Sequence, residues 1–235
     1  SQAEFFKDYI CDVGTLLGAA ADQGKNILFE AQLGALRDID YGIYPFTSSS
    51  NTIASYAPIG AGIPGCALDN VVGVMKAYST CVGEGPFVAE TAMGEAWNEK
   101  LRESGGEFGA ATGRPRRVGP FDAVASRYGI RCQKAQDIAL TKLDVLGAFD
   151  KIPVITGYRL HGVLLDSFPT DSRLEEAEPV IEELPGWGCD ISGCRSWKDL
   201  PENARKYVCT LEKLVDHPIY LVSTGAERDA YLLRE

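Results

Sequence analysis

The sequence lacks several features that would assign it to a common class. No apolar run approaches the ~20 residues that a membrane-spanning helix requires, and the first residues, SQAEFFKDYICDVG, do not follow the basic-then-apolar order of a signal peptide. Basic residues are the minority, since 23 Lys and Arg stand against 33 Asp and Glu, for a formal net charge of −10. Because a phosphate backbone demands a basic surface, we predict no nucleic-acid partner. The missing apolar run predicts no membrane association, and the odd number of scattered cysteines favours a cytoplasmic location.

Histidine and paired cysteine are also scarce. The chain has 2 histidines, and its 7 cysteines are scattered. Cys189 and Cys194 in CDISGC are the closest cysteine pair, but a zinc site requires four clustered Cys or His ligands. We therefore predict reduced thiols and no metal site in this chain. The 235 residues, 45% of them hydrophobic, suit one large globular domain or two small ones.

Against the acidic background, one basic loop stands out at 107–122, with the sequence EFGAATGRPRRVGPFD. It places Arg114, Arg116 and Arg117 within four positions of one another. The density of Gly and Pro excludes a regular helix or a central strand. Because guanidinium groups bind carboxylates and phosphates through two hydrogen bonds, the loop is a candidate anion site, and a solvated basic turn is the alternative.

Hydrophobic spacing predicts helices and strands in alternation, and hence an α/β fold. The predicted helices cover 2–22, 91–103, 122–136 and 202–215, and the predicted strands cover 26–31, 71–78, 137–140, 152–160 and 218–222. Asp122 is expected to cap its helix. Residues 166–201, rich in Glu and Pro, are expected to be mostly loop.

The tetrad TKLD at 141–144 follows a predicted strand and has a pattern suited to reading guanine. A carboxylate at Asp144 can accept hydrogen bonds from guanine N1–H and from the 2-amino group. Adenine would leave it unpaired, and an unpaired buried polar group rejects the wrong ligand by roughly 10⁴-fold or more. The stem of Lys142 can cover the base plane. Ser223-Thr224-Gly225, after the last predicted strand, can close the other side of the base or can be a simple turn.

Two further segments carry candidate ligand groups. Ser48 lies in the hydroxyl-rich loop YPFTSSSNT (44–52), whose hydroxyls can donate to phosphate oxygens, although such serine runs are also ordinary loop. Asp38 and Asp40 can hold a metal or act as acid and base if they share a strand face. Turn capping before Gly42 is the favoured reading of that aspartate pair.

The chain resembles the C-terminal part of the adenylosuccinate synthetase family. The matching stretches run in the family's order over nearly the whole chain: DIDYGIYPFTSSSNT (38–52), VVGVMKAYSTCVGEGPF (71–87), EFGAATGRPRRVGPFDAVASRYG (107–129), LTKLDVL (140–146), ELPGW (183–187) and VSTGAERD (222–229). The resemblance implies a ligase that couples IMP to L-aspartate in AMP biosynthesis, with GTP as co-substrate and Mg²⁺ as cofactor. It also implies a homodimer.

By position, the resemblance assigns ligand roles but no catalytic residue to this chain. It implies an L-aspartate site at Ala110, Ala111, Thr112, Gly113, Arg114 and Arg116. It implies IMP contacts from Gln32, Ser48 and Arg114, and GTP contacts from Arg116, Lys142, Leu143, Asp144, Ser223, Thr224 and Gly225. Arg117 is expected to be structural.

Departures from the family pattern concern the purine side of the site. The family reads Glu-Gly-Ala-Gln-Gly where this chain reads Glu30-Ala31-Gln32-Leu33-Gly34. Leu33 therefore takes the place of the glutamine, and Gln32 lies one residue earlier. Either the turn bulges so that Gln32 still reaches the purine, or that contact is lost. Cys81 stands where the family has arginine. These changes favour, as an alternative, a related ligase that uses another purine nucleotide.

The family's phosphate loop, catalytic pair and Mg²⁺-binding glycine precede the stretches matched here, and no Gly-Asp-Glu-Gly-Lys-Gly-Lys occurs in the sequence. We therefore expect an inactive part of a synthetase, with Mg²⁺ bound by the N-terminal part. Residues 1–75 are expected to complete a mainly parallel-sheet nucleotide-binding domain, and 76–235 to form a mixed α/β domain. A non-catalytic guanine-nucleotide-binding module is a second alternative.

Overall fold

The computed structural model describes residues 2–234 as a mixed α/β fold. The helices are α1 (Gln2–Phe6), α2 (Val13–Asp22), α3 (Ala57–Gly60), α4 (Val88–Thr91), α5 (Glu95–Gly105), α6 (Ala123–Gln133) and α7 (Glu202–Val215). The strands are β1 (Val72–Lys76), β2 (Ser79–Cys81), β3 (Arg117–Gly119), β4 (Phe121–Asp122), β5 (Asp137–Thr141), β6 (Lys151–Leu160), β7 (Val163–Leu164), β8 (Glu178–Pro185), β9 (Ile219–Ser223) and β10 (Tyr231–Leu233). Within residues 2–234, no helix is long and apolar enough to span a membrane.

The central sheet has the strand order β1-β5-β9-β10 and positions the site. β1, β5 and β9 are parallel, with Val72 opposite Asp137, and β10 closes one edge antiparallel. Parallel neighbours require long crossovers, which here contain α5 and α6 before β5 and α7 before β9. Because these strands are parallel, their carboxyl ends lie at one edge of the sheet, where α/β folds bind ligands.

The main core lies beneath this sheet and includes fully buried residues of β5, α7 and β9, among them Ile138, Leu140 and Leu211. Tyr207 of α7 is 1% exposed and donates its hydroxyl to Ala77 O at 2.7 Å, so the helix is held by a buried hydrogen bond as well as by apolar packing. The predicted helix over 202–215 is confirmed, and Pro201 occupies its N-cap.

A second sheet is formed by β4, β6, β7 and β8, and it contains one strand, β8, that the sequence analysis did not predict. Residues 166–201 are mostly loop, as predicted, but they include β8, which pairs antiparallel with β6 along nearly its whole length, from Lys151 opposite Pro185 to Arg159 opposite Glu178. The side chains of β8 are exposed or half-buried. Its Glu-rich sequence is therefore that of a solvated strand defined by its pairing partner rather than by hydrophobic alternation.

The first part of the chain also departs from the sequence prediction. The helix predicted over 2–22 is interrupted before α2, where Asp12 caps the helix by accepting from Thr15 N at 3.1 Å. Residues 26–31 form no strand within the described chain, and Leu28 is 93% exposed. A parallel sheet was expected within residues 1–75, but its first strand in the described chain is β1, which begins at Val72. The division into two domains stays a prediction.

Candidate functional site

The candidate site lies at the carboxyl edge of the central sheet, where loops follow β1, β5 and β9. Lys76 ends β1, the tetrad TKLD spans the end of β5, and Ser223 ends β9. Strand pairing places Lys76 opposite Thr141, so the ends of β1 and β5 are direct neighbours. The structure thus brings together the segments that the sequence analysis identified separately.

The guanine-reading candidate has an unusual backbone. Lys142 has φ +62°, a left-handed conformation that is uncommon for a residue with a side chain. It turns the chain sharply so that Asp144 can begin the 3-10 turn Asp144–Ala148. Leu143 is fully buried in the core, so only its main chain is available to a ligand. Burial raises the pKa of the half-buried Asp144 carboxyl, and the nearby charge of Asp190 adds to this effect.

Two hydrogen bonds of Thr224 fix the turn Ser223-Thr224-Gly225 to neighbouring segments. Thr224 is fully buried and donates its hydroxyl to Cys194 O at 3.2 Å, while its amide donates to Ala230 O at 2.8 Å. A Cβ on Gly225 would lie 3.7 Å from the Cβ of Ser192. The segment 189–194, which the sequence analysis treated only as a cysteine pair, therefore packs against this turn.

The arginine loop forms a hairpin-like structure. Phe108 and Pro115 form an isolated antiparallel bridge, and Gly109 N donates to Arg114 O at 2.8 Å. Gly113 has φ +63°, a conformation that favours glycine. The residues at the tip, 110–114, are exposed. Among the hydrogen bonds of residues 2–234, none comes from the side chain of Arg114, whose guanidinium is therefore available to an anion.

Arg116 and Arg117 have different environments. Arg116 Nη1 donates to Glu107 Oε2 at 2.8 Å, and its side chain is 33% exposed. Arg117 pairs with Glu90 at 2.6 Å and donates to Gly83 O and Gly85 O. Because the contacts of Arg117 lie within the protein and tie β3 to the loop before α4, the structural role expected for it agrees with the structure.

Beside this edge lies a cavity of about 460 Å³. Its lining includes Leu33, Arg37, Lys76, Cys81 and Asp122, together with Ser126. Leu33 reaches the cavity from a backbone with φ +74°. Gln32 is exposed and is not among the lining residues. The structure thus places the leucine, and not the predicted glutamine, at the cavity wall.

Arg37 supplies a guanidinium beside Cys81, the position at which the family has arginine. Its Nη2 lies 2.9 Å from Cys81 Sγ and donates to Val82 O at 3.0 Å, while Nη1 donates to Phe46 O and Glu84 O. The sequence analysis did not identify Arg37 as part of this site. Arg37 therefore ties the loop that contains Ser48 to the turn after β2.

Ser48 itself is engaged within its loop. Its amide donates to Arg37 O at 2.8 Å and its hydroxyl donates to Ser50 O at 3.2 Å. Asp38 is fully buried and accepts from the amides of Asp40 and Thr52, at 2.9 and 2.5 Å. Burial alone would raise the Asp38 pKa, but these amides hold it below its ordinary value. The favoured interpretation of Asp38 and Asp40 as a turn-capping pair is confirmed for Asp38.

This architecture, a parallel sheet with an arginine loop and a carboxylate at its carboxyl edge, defines an α/β protein of the ligand-binding kind. The chain belongs to the adenylosuccinate synthetase family, whose model matches residues 1–232. It is 49% identical over 232 residues to the adenylosuccinate synthetase of Trichlorobacter lovleyi, and 46% identical to that of Pelotomaculum thermopropionicum. In both cases the match covers 98% of this chain and 54% of the relative.

Solved structures agree with this assignment. The fully ligated adenylosuccinate synthetase of Plasmodium falciparum superposes with a TM-score of 0.92 at 36% identity, over 98% of this chain and 55% of that one. A succinoaminodeoxyadenylate synthetase of cyanophage S-2L shares the fold alone, with a TM-score of 0.51 at 13% identity over 92% of this chain and 49% of that one. The chain spans about half the length of the curated relatives it matches.

Proposed function

We propose that this chain contributes the L-aspartate and guanine-nucleotide sites of an adenylosuccinate synthetase, a GTP-dependent ligase that joins L-aspartate to IMP. The observation that carries the proposal is the contact between the tetrad TKLD and the base of the arginine loop, since Lys142 Nζ donates to Gly105 O at 2.6 Å and lies 3.8 Å from Glu107 Oε1. In this proposal Arg114 binds a carboxylate of L-aspartate, Asp144 reads the guanine edge, and Ser223 to Gly225 close the base pocket.

The chain's own groups fit binding roles more clearly than catalytic ones. Residues 2–234 contain no group of three or more His, Cys, Asp or Glu side chains that could hold a metal ion. The Mg²⁺ and the reacting groups that the resemblance implies are therefore proposed to come from the part of the relatives that this chain does not match. Assembly as a homodimer stays a prediction.

The test is the production of adenylosuccinate from IMP, L-aspartate and GTP. We expect activity when the chain is joined to the remaining part of a relative such as the Trichlorobacter protein, and none from the 235-residue chain alone. Replacing Arg114 with alanine in the joined protein should raise the KM for L-aspartate far more than the KM for IMP. A joined protein that folds and binds GTP but forms no product would contradict the proposal.

A second candidate is a related ligase that takes another purine nucleotide. Leu33 at the cavity wall and Cys81 beside Arg37 favour it, because both alter groups near the purine side of the proposed site. Comparing IMP, GMP and their deoxy analogues as substrates of the joined protein separates the two candidates. Preference for IMP would reject the second.

A further inference from the structure

Glu107 is a fully buried carboxylate at the base of the arginine loop. Its Oε1 accepts from Lys76 Nζ at 2.9 Å and from the hydroxyl of Tyr78 at 2.6 Å, and its Oε2 accepts from Arg116 Nη1 at 2.8 Å. The ammonium of Lys142 lies 3.8 Å from Oε1. One side chain therefore contacts the end of β1, the arginine loop and the guanine-reading tetrad.

The charges in this cluster make Glu107 indispensable to its geometry. Three cations surround a single carboxylate, and they would repel one another without it. Burial by itself would raise the Glu107 pKa, but the hydrogen bonds from Lys76 and Tyr78 hold it below its ordinary value. The carboxylate is thus ionised at neutral pH and is the group that holds the cations together.

Both functional segments depend on this carboxylate through rigid connections. Arg116 is held twice, because its amide also donates to Glu107 O at 2.9 Å. Lys142 Nζ donates to Gly105 O at 2.6 Å, two residues before Glu107. A Cβ at Gly105 would lie 2.5 Å from the Tyr78 hydroxyl, so the main chain of this segment is packed directly on the cluster. Displacement of Arg116 or Lys142 therefore changes the contacts of the other.

We propose that Glu107 is a positioning residue that couples the arginine loop to the guanine-reading tetrad. This inference rests on the proposed function of the two segments. A ligand that fixes Arg116 also fixes Glu107, which in turn holds Lys142 in the conformation that covers a base. By thermodynamic linkage, L-aspartate and a guanine nucleotide then raise each other's affinity by the same factor, roughly 5-fold or more.

The first test needs no ligand. Glu107→Gln keeps the shape of the side chain and removes its charge, and Glu90→Gln is the matched control because Glu90 pairs with Arg117 at 2.6 Å away from the cluster. In E107Q we expect amide hydrogen exchange to accelerate about 10-fold in both 109–116 and 142–146. In E90Q we expect faster exchange only at the immediate neighbours of Arg117, and wild-type exchange in the rest of both ranges. Acceleration confined to 109–116 in E107Q would overturn the coupling.

A reciprocal variant tests the coupling even if E107Q does not fold. Lys142→Met keeps the length of the stem and removes the ammonium, at a side chain that is 39% exposed. It should accelerate exchange in 109–116, although that loop is distant in sequence. If K142M leaves 109–116 at the wild-type exchange rate, the coupling is wrong whether or not E107Q folds.

The ligand test measures the affinity for L-aspartate with and without saturating GDP. We expect at least a 5-fold gain in the wild-type chain and in E90Q, and no gain in E107Q. Equal gains in wild type and E107Q would overturn the proposal. A wild-type chain that binds neither ligand would contradict the proposed function, and the exchange measurements would still decide the coupling.

Discussion

Asp144 gives the sharpest single-residue prediction for the guanine-reading tetrad. Its carboxylate is half-buried, and burial together with the charge of Asp190 disfavours its ionised form when no ligand is bound. A base that donates two hydrogen bonds relieves this penalty, and each such bond to a charged group contributes about 1.5–3 kcal/mol. Asp144→Asn replaces one acceptor with an amide donor that opposes the donors of guanine. We expect a loss of about 3 kcal/mol, or roughly 150-fold in GDP affinity.

Nucleotide titrations followed by NMR check this prediction, because they detect weak binding. Xanthosine diphosphate carries a carbonyl in place of the 2-amino group and can accept from the new amide. We therefore expect D144N to prefer xanthosine diphosphate over GDP. Asp190→Asn, which leaves Asp144 in place, is the control and should bind GDP at least as well as wild type. If D144N binds GDP with wild-type affinity, Asp144 does not read the base.

Two further predictions concern stability. Burial raises the pKa of Asp122 from 3.8 to about 6. Because the pKa in the folded state is higher than in the unfolded state, the protonated carboxyl stabilises the fold fully below the unfolded-state pKa. This stabilisation, about 3 kcal/mol, is lost as the pH rises through about 6. Urea unfolding of Asp122→Asn at pH 4 and pH 7 should lack this loss, and a pH dependence equal to that of wild type would contradict the reasoning. A Cβ at Gly119 would lie 2.1 Å from Ala89 O, a main-chain atom, so Gly119→Ala should lower the free energy of unfolding by about 3 kcal/mol. Gly18→Ala, where nothing lies within 4 Å, should leave it unchanged or raise it by up to about 1 kcal/mol in thermal denaturation; equal effects at both glycines would show that the close approach to Ala89 is not rigid.

Elements with local signals were predictable from the sequence. Asp122 caps α6 by accepting from the amides of Val124 and Ala125, both at 3.0 Å, as its position before an apolar helix indicated. Pro201 before α7 gave a similarly direct signal. The strand over 137–140 was also correct, since a short apolar run bounded by polar residues needs no distant information.

Elements defined by a partner were not predictable. β8 has the composition of a loop and becomes a strand through β6. Conversely, residues 26–31 have the composition of a strand and pair with no strand among residues 2–234. In both cases pairing, and not local propensity, decides the secondary structure.

The same distinction holds at the site. The arginines and TKLD were visible as short motifs, whereas the role of Glu107 was not, because its partner Lys76 lies 31 positions away. The one available signal was an acidic residue immediately before a basic loop. The packing of 189–194 against Thr224 likewise depends on tertiary contacts that no short motif encodes.

The most direct test of the account is an NMR map of L-aspartate binding on this chain, with L-asparagine as the matched ligand that lacks the second carboxylate. We predict saturable shifts in residues 109–116, strongest near the exposed guanidinium of Arg114, and a smaller response in 142–146. L-asparagine should produce much weaker shifts. Saturable shifts elsewhere with none in 109–116, or equal responses to both amino acids, would contradict the central claim that the arginine loop binds the carboxylates of L-aspartate.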